Sequence, residues 1–249
     1  MQALGLLGVA VFALASAVVG VRLLLLARRT RQAPELAMGI AFLVSGAFGF
    51  PLLTAASVVV QADGSAPLAH ALVSLGAFST FAGYVGLGIG CWRIHRPRAR
   101  WPLAPIGLGT AVVLAASAVV ATSSGTAGAG ARDLAFWCGV AVGVLTFAWN
   151  ALESFVLHGR LRRRAALGLA DPEVVDRVWL WGVGSAAACA MALHGLVLRA
   201  AIGPVVTDGQ RVVSSLLGLV AAVAISLAFF PPAAYRRRFA AAAERAGDA

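Results

Sequence analysis

The sequence predicts an all-α integral membrane protein: a bundle of seven transmembrane helices, N-terminus outside and C-terminus in the cytoplasm. Three observations predict it. The 249-residue chain is 60% hydrophobic, with a mean hydropathy of +0.88. Only 12% of its residues are charged, against roughly 25% in soluble domains, because a charge in hydrocarbon costs several kcal/mol. Its Arg residues gather at alternate ends of long apolar runs, which is how topology determinants are placed.

A run of about 20 apolar residues crosses a hydrocarbon core of about 30 Å. Seven such runs occur, at 3–27, 36–60, 68–92, 102–122, 134–157, 178–201 and 212–230. They form one transmembrane domain over 1–239 and leave 240–249 as a short cytoplasmic tail. The first run is read as a retained helix rather than a signal peptide: its start, Met1-Gln2-Ala3-Leu4, has no charge, and Arg28, Arg29 and Arg31 follow the run instead. Residues 61–67, with Asp63, Gly64 and Pro67, read as a turn, and the Ser/Gly/Ala-rich 123–130 as a flexible loop. In 159–177 the residues 160–169 extend the fifth helix. Asp171-Pro172-Glu173 then starts the sixth, with an N-cap, a Pro at the first position and an acid in the first turn.

All twenty basic residues are Arg, and there is no Lys, as a GC-rich bacterial genome would give. Sixteen of the twenty lie on one set of alternate connections: Arg28–Arg31, Arg93–Arg100, Arg160–Arg177 and Arg236–Arg245. Arg132, Arg199 and Arg211 fall on the other side, and Arg22 lies inside the first run. The positive-inside rule places the sixteen in the cytoplasm, where they also face anionic lipid headgroups. The expected location is the cell (inner or plasma) membrane, multi-pass. This distribution argues for membrane rather than nucleic acid as the basic chain's partner. A membrane-protein partner or a homo-oligomer is compatible with it.

Helices in lipid associate through small residues. Ala82, Gly86 and Gly90 recur at four-residue spacing in the third run, and Ser45, Gly46 and Gly49 precede Pro51 in the second. Pro51 predicts a kink, either static or acting as a hinge.

Ionisable residues inside spans are functional candidates by default. Glu153 lies four residues before Leu157 and Arg22 five before Ala27, at matching depths of about 6–8 Å from the same side. An Arg22–Glu153 ion pair is the expectation, with Arg93 as the alternative partner. Otherwise Arg22 snorkels to the interface and Glu153 faces wet cytoplasm. Asn150, one turn from Glu153 and Ser154 and beside Trp149, adds a small polar face, suited to a ligand, ion or proton or to an interhelical hydrogen bond. His70 and His194, on the third and sixth runs, are weak candidates for a metal or haem; no HExxH or Glu-x-x-His pattern supports them. His95 and His158 sit among interfacial basic residues. Cys91, Cys138 and Cys189 lack CxxC spacing and read as small buried hydrophobes.

One function is excluded and others are poorly supported. Seven helices with the N-terminus outside is the plan of microbial rhodopsins, but without Lys no retinal Schiff base can form; no cofactor is expected. Small sugar carriers pair two three-helix units through a linker helix, yet Pro51 has no counterpart in the sixth run. There is no Walker motif, and no nucleophile with a base. The best-supported reading is therefore a receptor-like or accessory protein that binds a small apolar ligand, lipid or partner helix within the bundle. A small-solute or proton-coupled transporter using Glu153 and Asn150 is the alternative. A lipid-modifying enzyme ranks last.

Overall fold

The computed structural model describes residues 2–62, 65–123, 129–202, 208–235 and 237, and the side chains from residue 7 onward except that of Asp208. Among the described residues every regular element is helical. Seven helices are long and apolar enough to cross a membrane. They are α1 (Gln2–Thr30), α2 (Ala33–Gln61), α3 (Ala66–His95), α4 (Leu103–Thr122), α5 (Ala129–Ala165), α6 (Pro172–Ile202) and α7 (Asp208–Phe229). Each coincides with one expected run and overshoots most of them by a few residues, since flanking Arg, Ala and Leu are good helix formers that continue the hydrogen-bond ladder. The turn at Asp63-Gly64, the loop at 124–128, the tail 240–249 and Arg236, Arg238 and Arg245 lie outside the described residues.

The ends of α5 and α6 follow local chemistry. Gly168 takes φ +69°, and the Leu169 N–H donates to the Arg164 carbonyl at 2.9 Å. This left-handed glycine stop satisfies carbonyls that α5 leaves free. Asp171 then caps α6 as expected: its Oδ1 accepts from the Glu173 N–H at 2.8 Å, with Pro172 at the first position.

Pro51 does not break α2. The helix instead passes through a π-helical segment, Phe42–Gly49, immediately before it. There the Phe50 N–H reaches back to the Ser45 carbonyl, five residues away rather than four. Pro51 has no N–H and its ring crowds the preceding turn, so widening the helix accommodates it.

The helices close into a ring. α1 packs on α2, α2 on α3, α3 on α5, α5 on α6, α6 on α7, and α7 back on α1. α4 stands outside the ring, against α3 and α5. The seams are lined by small residues. A Cβ on Gly83 would fall inside the Ser45 side chain of α2, and one on Gly90 would lie 2.7 Å from Met38 Cγ. On α5, Gly139 and Gly143 lie under the Phe81 and Tyr84 rings of α3. Large apolar side chains point the other way: Leu14, Leu108 and Leu145 are each more than 65% exposed. That distribution suits lipid rather than water as the surrounding solvent.

Candidate functional site

The ring encloses a series of cavities along its axis. At the Arg-poor end, a cavity of about 660 Å³ is bordered by Gln61, Arg132, Asp133, Arg199 and Gln210. It shares Leu53, Phe136, Trp137 and Gly195 with a chamber of about 290 Å³ deeper in the bundle. All ring helices contribute to this chamber, among them Phe12 from α1, Phe50 from α2, Thr80 from α3, Phe147 from α5, Met191 from α6 and Ser215 from α7. A third cavity of about 40 Å³ continues towards the Arg-rich end, past Phe42 and Leu87, to Trp181 and Ser185. Because α4 lies outside the ring, it contributes nothing to the axial space.

The chamber wall is overwhelmingly apolar and aromatic. Phe12 and Phe50 meet edge to face at 5.5 Å, and Tyr84 and Phe147 at 5.6 Å. One buried polar atom on this wall lacks a partner: Thr80 Oγ1, on a residue 2% exposed. An unsatisfied buried hydroxyl costs about 1–3 kcal/mol, and an acceptor or donor on a bound molecule would recover it. At the mouth, Arg199 Nε donates to Asp133 Oδ2 at 3.2 Å, and the Trp137 indole N–H donates to Asp133 Oδ1 at 3.2 Å. Arg199 Nη2 pairs with the same carboxylate, while Nη1 is buried without a partner. The mouth therefore offers an unused cationic donor above an aromatic interior.

Three aromatic rings gather at the Arg-rich end. Phe42, Trp181 and Phe229, from α2, α6 and α7, pack edge to face with centroids 5.3–6.4 Å apart. Beside them lies the polar group expected around Asn150. Asn150 is fully buried: its Nδ2 donates to Ser185 Oγ at 2.8 Å, and its Oδ1 accepts from the Trp181 indole N–H at 3.1 Å. Ser154 Oγ donates to the Asn150 carbonyl at 2.7 Å. Both ends of the Asn150 amide are thus engaged in joining α5 to α6. This is the interhelical-bond alternative rather than a free ligand group.

The expected Arg22–Glu153 pair is corrected. Glu153, 9% exposed, binds Arg96, whose Nε lies 2.9 Å from Oε1. Arg22 is exposed and its guanidinium carbon sits 4.5 Å from the centroid of the Phe230 ring. Arg93, the alternative partner, lies over Trp92 at 4.4 Å. The reason is topological: α1 adjoins α2 and α7, and does not touch α5. Matching depth did not imply adjacency.

His70 and His194 are not brought together either. His70 Nε2 lies 3.1 Å from the Ala121 carbonyl on α4, whereas His194 is on α6, which touches neither α3 nor α4. Among the described residues no group of three or more His, Cys, Asp or Glu could hold a metal. Sequence reasoning passed over His95, which lies beside Asn150 and within electrostatic reach of Glu153 and Arg96. It also passed over Trp181 and Ser185, and all the aromatic residues of the chamber. The available signal was the Gly139–Gly143 pair on α5, whose spacing marks a face that admits large rings.

No family model matches the chain, and neither a curated protein nor a solved structure matches it.

Proposed function

We propose that this protein is a receptor-like membrane protein that binds a small, largely apolar molecule in the axial chamber, entered from the Arg-poor end. The observation that carries this reading is the chamber itself: about 290 Å³, walled by all six ring helices, continuous with a wider mouth and flanked at the opposite end by Phe42, Trp181 and Phe229. Small-molecule sites are concave, mostly apolar and carry few polar groups. Here those groups are Thr80 within and Arg199 at the mouth, so the ligand has an apolar, preferably aromatic body and a hydrogen-bond acceptor at one end. With the Arg-rich end in the cytoplasm by the positive-inside rule, the mouth faces outward and the protein resides in the cell membrane.

The test is native mass spectrometry on protein purified in a mild detergent, paired with Gly218→Phe. Gly218 lines the chamber, and a Cβ there meets only Met191 Sδ at 3.7 Å, so the new ring fills the cavity without displacing backbone. A retained small molecule in the wild type that Gly218→Phe removes, at unchanged melting temperature, supports the reading. If no molecule is retained and no compound from an apolar library raises the melting temperature, the reading is wrong.

One observation favours a transporter as the second reading. In the ring order, α1–α2–α3 and α5–α6–α7 form two three-helix units around the cavity, with α4 outside as the link, an arrangement suited to rocking of one unit against the other. Flux of the identified ligand into proteoliposomes separates the two readings: accumulation indicates transport, and binding without flux indicates a receptor.

A further inference from the structure

A second cavity lies outside the ring, in the triangle between α3, α4 and α5. It measures about 400 Å³ and is lined by Gly88 of α3, Trp101, Pro105 and Gly109 at and on α4, and Leu145 and Trp149 of α5. Part of the space comes from the missing side chain of Gly88. A Cβ on Gly88 would have nothing nearer than Ile106 Cγ1 at 3.8 Å and Thr146 Cγ2 at 3.9 Å. Leu108 and Leu145 on its rim are 69% and 70% exposed, so it opens sideways, where a membrane-spanning bundle meets hydrocarbon. At the Arg-rich end the groove is closed by Trp101 and Trp149, with centroids 5.8 Å apart, and the buried Trp149 Nε1 has no acceptor.

The turn that precedes Trp101 carries Arg98 and Arg100, both exposed. Neither joins an ion pair among the described residues, unlike Arg96 in the same turn, which is taken by Glu153. The turn contains no acid. An apolar groove with two unpaired cations at its interfacial end, and a tryptophan pair between them, matches one amphiphile in shape and charge.

We propose that this groove is a specific site for one anionic glycerophospholipid of the leaflet at the Arg-rich end. Its acyl chain lies in the cavity beside Gly88, its phosphate meets Arg98 and Arg100, and an ester carbonyl serves as acceptor for the Trp149 indole. The site rests on the chain spanning a membrane, and it is independent of the axial chamber. Each basic residue near an anionic surface contributes a factor of about five in affinity, so two give a preference of about 25-fold for an anionic over a zwitterionic headgroup.

The experiment is native mass spectrometry of the full chain equilibrated with equal amounts of phosphatidylglycerol and phosphatidylcholine. The expected result is a single retained lipid, with phosphatidylglycerol preferred about 25-fold. R98Q/R100Q, two exposed changes that leave folding intact, should bring the preference to about one. Gly88→Leu should remove the adduct at unchanged elution volume. Gly218→Phe, in the axial chamber, should leave it in place, so that failure of the ligand reading is read separately. Equal retention of the two lipids by the wild type overturns the proposal, as does an adduct indifferent to Gly88→Leu. A dimer that disappears in Gly88→Leu with no lipid bound also overturns it, since a second copy would then occupy the groove.

Discussion

Removing Arg96 should destabilise the bundle more than removing its partner, and the asymmetry follows from burial. Glu153 is 9% exposed at the Arg-rich end of α5, whereas the Arg96 side chain is 40% exposed, with its Nε 2.9 Å from Oε1. Arg96→Gln strands a carboxylate that cannot reach water. Breaking a fully buried pair costs about 3–5 kcal/mol; solvent access on the Arg96 side lowers this to about 2–3 kcal/mol. Glu153→Gln leaves an amide that still accepts a hydrogen bond and an arginine free to turn outward, a cost of about 1 kcal/mol. For a chain of this length about 1 kcal/mol corresponds to 2–4 °C. The apparent melting temperature in detergent, taken at a fixed scan rate because such unfolding is commonly irreversible, should fall by about 4–12 °C for Arg96→Gln and by about 2–4 °C for Glu153→Gln. The double variant should resemble Glu153→Gln, a coupling of about 2–3 kcal/mol. Arg22→Gln should shift the transition by less than about 2 °C, the scale of an exposed cation–π contact, and add independently to Glu153→Gln. Coupling of Glu153 to Arg22 but not to Arg96 would refute the helix order as well as the pair.

Asn150→Leu keeps the volume but strips the acceptor from Trp181 and the donor from Ser185; two interhelical bonds of about 0.6–1.7 kcal/mol each should be lost, seen as a lower melting temperature. Gly83→Ala drives a methyl into Ser45 and should cost more than about 2 kcal/mol. Gly107→Ala, with nothing within 4 Å of its new Cβ, should leave stability unchanged or raise it by up to about 1 kcal/mol; equal effects of the two would contradict the α2–α3 seam. In a cysteine-free background, a cysteine at Gly159 should react with a membrane-impermeant thiol reagent only after cells are opened, and one at Ser65 should react in intact cells. Changing Arg160, Arg162, Arg163 and Arg164 to Gln should weaken that asymmetry; labelling identical to the parent would count against these residues as topology determinants.

The number of long apolar helices, their positions along the chain and the α6 cap were legible because they depend on local properties: run length, charge at the ends, and the Asp171-Pro172-Glu173 order. The response to Pro51 was half legible. A proline in a span announces a distortion, but only its packing against α3 decides between a kink and the π-helical turn Phe42–Gly49. The candidate site was legible one residue at a time. Asn150 and Glu153 stand out because a polar group in hydrocarbon is costly, and both prove to be buried and bonded. Their partners were not legible, since Arg22, Arg93 and Arg96 lie at similar depths and depth says nothing about position around a ring.

From the sequence alone come the seven apolar segments, the asymmetry of arginine between their ends and the impossibility of a retinal Schiff base. Each is a property of composition along one dimension, readable without knowing which helix lies beside which. Only the tertiary structure decided that α4 stands outside a six-helix ring, that Glu153 meets Arg96, and that rings from α1, α2, α3 and α5 surround a chamber. Those outcomes depend on which glycine faces which aromatic ring across a seam, and helices that are apolar on every side carry no amphipathic stripe to announce which faces turn inward.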